Sequence, residues 1–386
     1  MLTTSELEQL RAIRHHLHRH PELSREEAGT AIHLAEQLRH LGLEAETGIG
    51  GHGLVATIRG ERPGAAVGLR ADMDALAITE RTGLAYASCR PNVMHACGHD
   101  GHMAILLGAG MILSRRRDFA GRVHLIFQPA EERFGGARLM VEEGLLLRYP
   151  MARVFGLHNW PGLPAGQVVV HDGPVMAGTS EFTLRFRAEG GHASMPHLTG
   201  DPLLAGGHFM TGIQQAVARS VDPFESAVVT VGSFRGGHAQ NIIPQEAELT
   251  GTLRGYSGAM LLHLRGRVRA VALAAAEMAG CAWDLEFDEP LCPPVVNRPA
   301  ERDIMRQAAL AAGLDLGGPY PPSMGGDDFG DLLAHLPGAY AFLGNGPLQP
   351  EAGLHQPKYD FNDAVIAPGA GLLALSARIA LGSAPG

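Results

Sequence analysis

The sequence predicts an α/β fold, a largely parallel sheet with flanking helices, interrupted by an inserted α+β domain with an antiparallel sheet. Three observations predict it. Strand-length apolar runs interleave with helical stretches at both ends of the chain. Between about residue 180 and Pro293-Pro294 the runs instead alternate apolar and polar, the period of half-exposed antiparallel strands. With 386 residues and 45% apolar side chains, the chain has material for more than one core. The predicted spans are 1–179 and 293–386 for the α/β domain and 180–292 for the insert.

Thr3 with Glu6 forms a capping box, Leu7, Leu10, Ile13 and Leu17 follow at helical spacing, and Pro21 stops the helix. Ser24 with Glu27 reads as a second capping box. It opens a helix carrying Ala28, Ile32, Ala35 and Leu38 that ends near Gly42. Leu54–Ile58, Ala65–Leu69, Val123–Phe127 and Val154–Leu157 are strand-length runs with Gly or Pro nearby; helical stretches Met103–Leu113 and Ala137–Leu147 lie among them. In the insert, Phe182–Arg187, Ala227–Phe234, Ala247–Leu253 and Ala282–Phe287 are strands, with helices near 201–219 and 258–279. Helices near 299–312, 327–335 and 364–381 and strand Ala339–Leu343 complete the α/β domain.

Charge and composition exclude several functions. Lys+Arg number 31 against 40 Asp+Glu, a balance of −9, which argues against a nucleic-acid partner. Lys358 is the single lysine, so there is no P-loop lysine and a Schiff-base enzyme is disfavoured. Four cysteines without a CxxC pair point to a reducing compartment. The N-terminus reads as a polar helix start, and the apolar stretch Met103–Leu113 is too short to span a bilayer. The expectation is a cytoplasmic protein with no membrane partner.

Cys97-x-His99 precedes a helix in a segment that also holds His95, Asp100 and His102. Thiolate and imidazole suit Zn²⁺ and similar ions, although alone the segment reads equally as a His-rich helix start with a buried cysteine. Glu131-Glu132 follow a strand end, where open α/β sheets place their ligand crevices. Adjacent residues in extended chain face opposite ways, so one carboxylate can bind a metal and the other face substrate. Asp72 and Asp74 follow another strand, His158 a third, and His355 a loop after a fourth. Together they suggest a two-metal hydrolytic site, in which ions about 3.5–4 Å apart ionise a water and a free carboxylate accepts its proton.

RHHLHRHPELSREEAGT (14–30), GLRADMDALAITE (68–80), MHACGHDGHMA (94–104), IFQPAEE (126–132), GLHNWPGLPAG (156–166), GGHASMPH (190–197) and LHQPKYDFND (354–363) resemble the M20 metallopeptidase clan. The match is to its amidohydrolase branch of hippurate hydrolases, aminoacylases, auxin-conjugate hydrolases and N-acetyl-diaminopimelate deacetylases. The resemblance implies two divalent ions per subunit (Zn, Mn, Co or Ni), bridged by Cys97 and held by His99, Glu132, His158 and His355. It implies Glu131 as general base and Asp74 as the aspartate behind the site, with Asp72 supporting. It implies that the insert is a lid and dimerisation domain of a homodimer or dimer-based oligomer. His192 would polarise the scissile carbonyl, in an active site that is plausibly the partner's. Asn241, Arg254, Gly326 and Asp327 would meet the substrate. The substrate implied is a small N-acyl amino acid. The alternatives are a dipeptidase or aminopeptidase of the same clan, or an inactive binding protein on this fold.

Two positions depart from the family pattern: Ala77 stands where it has proline, and Asp327 where it has glutamate. Gly48–Gly53 satisfies GxGxxG but precedes a strand rather than a helix, so it is no dinucleotide fingerprint. There is no HExxH and no GxSxG. His15, His16, His18 and His20 read as a polar helix face, and Cys89, Cys281 and Cys292 as small core residues.

Overall fold

The apolar runs of the α/β part become strands buried on both faces, as a parallel sheet between helices requires. In this computed structural model, which describes residues 1–133 and 135–382, one unit comprises Met1–Val175, Val296–Pro322 and the stretch from Asp327. The other comprises Met176–Val295 and Ser323–Gly326. The last four residues of the predicted 293–386 span lie outside the described residues.

The first unit begins with α1 (Thr4–Arg19), α2 (Ala28–His40), β1 (Ala45–Ile49), β2 (Gly53–Arg59) and β3 (Arg62–Asp72). Then come α3 (His99–Arg115), β4 (Ala120–Gln128), α4 (Gly136–Glu142), β5 (Arg153–Pro161) and β6 (Val168–Val169). It ends with α5 (Pro299–Ala311), β7 (Gly338–Gly346) and α6 (Ile366–Ala380). The sheet order is β1-β2-β4-β3-β5-β7-β6. β4, β3, β5 and β7 are parallel. β2 runs against β4, β1 against β2 and β6 against β7, so the edges are antiparallel. The four parallel strands therefore end on one edge, near Gln128, Asp72, His158 and Gly346.

α3 is buried along almost its whole length between the sheet, α1 and α6. Its Leu106 and Leu107 are fully buried, as are Phe127 and Phe155 of the sheet; each such side chain contributes about 1.5–3 kcal/mol. Close packing explains Gly101 in its first turn: a Cβ there would stand 2.3 Å from the Phe361 ring. The window Asp363–Ala380 is apolar enough to cross a membrane by length and composition, but 56% of it is buried in this core.

In the second unit, Ala227–Gly236, Glu246–Gly255, Gly178–Arg187 and Ala282–Phe287 form an antiparallel sheet in that order. Phe182, Leu184, Phe186, Leu249 and Leu253 pack one face onto helices Pro202–Gly212 and Gly258–Ala279. The alternation read in the sequence is that of this covered and open sheet.

Several local expectations are corrected. Ser24 and Glu27 do not cap α2. Glu22 does, accepting from the backbone of Gly29 (3.2 Å) and Thr30 (2.7 Å). α2 buries Thr30, Ala31, Leu34 and Leu38 and leaves Ile32 63% exposed, so the face it turns inward is not the expected one. The helix over 137–147 breaks at Gly144, which adopts φ 92°, and that over 201–219 breaks after Gly212. Cys89 is exposed. His18 is not on a polar face: it is fully buried, with Nδ1 2.9 Å from Asp100 and Nε2 3.3 Å from Glu80.

Burial pushes the His18 imidazole down, but Asp100 and Glu80 outweigh it and raise it to about 9. A group raised in the folded state stabilises fully below its unfolded pKa of about 6.5, and that stability is lost as pH rises through the folded value. We expect the difference in unfolding free energy between wild type and His18→Gln to shrink by roughly 3 kcal/mol from about pH 6 to pH 9.5. Urea unfolding of metal-free protein measures it; a difference independent of pH would show that His18 is not charged in the pair.

Candidate metal centre

The site forms where the parallel strands end. Cys97 and His99 sit at the start of α3, Glu131-Glu132 in the turn after β4, His158 near the end of β5 and His355 in the loop after β7. Gly98 makes the approach possible. Its φ is 89°, and a Cβ would lie 2.4 Å from both the Asn159 amide nitrogen and the Tyr359 hydroxyl.

Cys97 Sγ lies 3.3 Å from His158 Nε2 and 3.3 Å from His355 Nε2. Glu132 Oε1 is 3.5 Å from His355 Nε2 and 3.8 Å from His99 Nε2. Ligand atoms of Cys97, His99 and His158 lie within 4.8 Å of one another, as do those of Cys97, Glu132 and His355. The two triads share the cysteine. His355 is half-exposed and marks the open side.

The imidazoles are aimed by their backs. His99 Nδ1 is 2.9 Å from the Asp74 carbonyl, and His158 Nδ1 is 2.7 Å from the Asn159 carbonyl. A carbonyl only accepts, so each Nδ1 carries the hydrogen and each Nε2 presents a lone pair when the ring is neutral. His99 Nε2 and Glu132 Oε1 are buried with no hydrogen-bond partner. Buried polar atoms are rarely left so, and two facing orphans amid Cys, His and Glu donors fit divalent ions. The residues present thus fit the two-ion group.

Electrostatics agree. Burial, then Glu132, Glu131 and Asp72, push the Cys97 thiol well above its usual range. Burial, then Asp327, Glu132 and Asp328, push Glu131 up likewise. Burial alone would lower His99, but Asp72, Asp74 and Glu132 raise it to about 10. Metal-free, the site holds protons where a cation would relieve the same excess of negative charge.

Asp74 lies behind the site, with its carboxylate 3.5 Å from His99 Nδ1. Its carbonyl receives His99, while its carboxylate accepts the backbone N–H groups of Glu131 and Glu132, each at 3.0 Å. Asp72 accepts from His102 Nδ1 at 2.6 Å and Arg70 at 2.8 Å. Asp327, expected at the substrate, is 1% exposed; its carboxylate holds Arg70 (3.1 Å), the Tyr340 hydroxyl and the Phe329 amide, and it stands beside Glu131. Gly326 follows the exposed Gly325 in the second unit.

The remaining expected residues belong to that second unit. His192 pairs with Ile242 across a short two-stranded sheet, and the Asn241 carbonyl accepts the Ala193 N–H at 3.1 Å, so His192 and Asn241 are neighbours. His192 Nδ1 accepts from the Ser194 N–H at 3.1 Å, which leaves Nε2–H as a donor on an exposed ring. Arg254 lies half-buried across from Val228 and Thr179.

Sequence reasoning gave His102 no role and passed over Asn159 and Arg70. His102 Nε2 accepts the Asn159 N–H at 3.0 Å, and the Asn159 side chain donates to the Cys97 carbonyl at 2.6 Å. The His99-x-x-His102 spacing at a helix start was the available signal for His102. For Arg70 the one local signal was Asp72 two residues on, on the same face of β3; Gln128, Asp327, Asp328 and Tyr340 are distant in sequence.

A buried Cys/His/Glu centre at the C-terminal edge of a parallel sheet defines a metal-dependent hydrolase site. The chain belongs to peptidase family M20/M25/M40, whose model matches residues 68–378. It is 37% identical to the N-acetyl-L-cysteine deacetylase of Bacillus subtilis, over 97% of this chain and 89% of that protein. It is 36% identical to the hippurate hydrolase of Campylobacter jejuni, over 92% of each. Among solved structures, the Bacillus subtilis YXEP protein, described as a dinuclear metal binding peptidase of the M20 family, superposes with TM-score 0.87. Identity to it is 30%, with 99% of this chain and 100% of that one covered.

Metal binding must displace protons from Cys97 and His99, so it should release protons at neutral pH, and affinity should fall on acidification. Calorimetry in buffers of different ionisation enthalpy reads the release. We expect Cys97→Ala to lose stoichiometric binding of the second ion. Chelation should lower wild-type stability by about 2.7 kcal/mol for each ion held at 100 times its Kd. Proton-neutral binding would contradict the assignment.

Proposed function

We propose that this chain is a dinuclear-metal amidohydrolase that cleaves the amide of a small N-acyl amino acid to a carboxylic acid and a free amino acid. The observation that carries this reading is the pair of triads sharing Cys97, with Glu131 buried beside them. Cys97, shared by the two triads, would hold the two ions together with His99, Glu132, His158 and His355. When bound, the two ions supply Lewis acidity that polarises the scissile carbonyl and eases ionisation of a water.

Glu131 accepts the water proton and returns it to the leaving nitrogen. Its carboxylate is suited to this because burial, and then Asp327, Glu132 and Asp328 around it, raise its proton affinity. The shorter side chain at 327 is engaged by Arg70 and Tyr340, so Asp327 acts on substrate through Glu131. His192 is assigned to the substrate carbonyl as an N–H donor. Asn241 is assigned to substrate binding, Gly326 to backbone contact, and Arg254 to the substrate carboxylate, which a guanidinium binds bidentately. Two copies joined through the insert complete the reading.

We expect Glu131→Ala to keep both metals and lose kcat by at least about 10³-fold, the scale of a missing proton carrier in a preorganised site. Metal content with kcat on hippurate and N-acetyl amino acids tests this; retained turnover would remove Glu131 from its role. Faster turnover of dipeptides than of N-acyl amino acids would favour a peptidase instead. Arg254→Ala should raise KM on carboxylate substrates about tenfold or more and leave amides of that carboxylate unaffected.

A further inference from the structure

The block Glu22–Glu27 has no place in the chemistry above, yet two of its polar side chains, Ser24 and Glu27, are spent on one target. Ser24 Oγ donates to Asp74 Oδ2 at 2.6 Å, and Asp74 in turn accepts the N–H groups of Glu131 and Glu132. Glu27 is fully buried, and its Oε1 accepts the Ala130 N–H at 2.7 Å. Leu23 bridges Ala75, and the Ala75 N–H donates to the Glu22 carbonyl at 2.8 Å. Ala130, directly before the proposed base, has φ 54°, a conformation that a residue with a Cβ holds only under constraint.

A residue at the Glu27 position, the N-cap of α2, ordinarily turns its side chain onto its own helix. Here Glu22 takes that duty, and Glu27 reaches instead to another element. Three consecutive amides, of Ala130, Glu131 and Glu132, are thereby held by two carboxylates, and both carboxylates depend on this segment.

We infer that Ser24 and Glu27 are positioning residues for Glu131, and that Glu22–Glu27 is a clamp on the turn that carries the base. The kinetic part rests on the function proposed above; the structural part does not. In metal-free protein, Glu27→Ala should speed hydrogen exchange of the Ala130 amide at least tenfold, and Ser24→Ala that of Glu132. The Leu125–Phe127 amides of β4 should stay unchanged.

On the metal-loaded enzyme both variants should keep two ions and a KM within about twofold. They should lose kcat by up to about 10²-fold, the scale set by a misplacement of about 1 Å. Glu27→Gln keeps a carbonyl acceptor and Ser24→Thr keeps a hydroxyl, so both should return to within about threefold of wild type. Unchanged exchange at Ala130 and Glu132 would overturn the inference, as would equal acceleration across β4, or a Glu27→Gln as impaired as Glu27→Ala. If wild type hydrolyses no N-acyl amino acid but the exchange pattern appears, the function falls and the clamp stands.

Discussion

Buried negative charge is the constraint on which this site depends. A carboxylate removed from water costs several kcal/mol unless a cation or several donors meet it. At the strand ends the chain buries Asp72, Asp74, Asp100, Glu131, Asp327 and Asp328 within a few residues of one another in space. Two fully buried arginines answer part of this. Arg70 meets Asp72, Asp327 and Asp328, and Arg14 meets Asp100, Asp360 and Asp363. Glu131, Glu132 and Cys97 form no ion pair with either arginine among the described residues, and the imidazoles of His99, His158 and His355 stand against them instead. That arginine-free part is where the facing orphan atoms of His99 and Glu132 occur, and it is the part of the cluster that ions would neutralise.

The fold was legible because two periodicities differ. Runs such as Val123–Phe127 and Val154–Leu157 are apolar without alternation, since both faces of the parallel sheet are covered. Phe182–Arg187 alternates because one face is open. The metal-capable types were legible because Glu131, His158 and Asp72 each follow such a run. What was not legible is which polar residue serves which neighbour. Ser24 and Glu27 satisfy a local capping rule, yet Asp74 and Ala130 claim them from 50 and 103 residues away. Likewise His18 looks like one of four surface histidines until α3 brings Asp100 against it. Local rules price only local partners, and a buried carboxylate elsewhere outbids a solvent-exposed cap.

Placing His99 at the first turn of α3 creates a conflict that the rest of the site resolves. A helix N-terminus carries partial positive charge, which disfavours a cation there. The same terminus offers a fixed direction and a rigid base. The chain keeps the rigidity and offsets the field: Asp72 lies 3.7 Å and Asp74 3.5 Å from the His99 ring nitrogens. Asp100 in the first turn adds a further carboxylate, itself bound by Arg14 and His18. The excess of acids around two triads is therefore no surplus. Part of it offsets the helix end, part of it is paired with Arg70, and the remainder faces the metal-capable triads. Removing a carboxylate from any of these parts changes the balance seen by the others, which is why so many acidic residues surround the two triads, in which Glu132 is the one carboxylate.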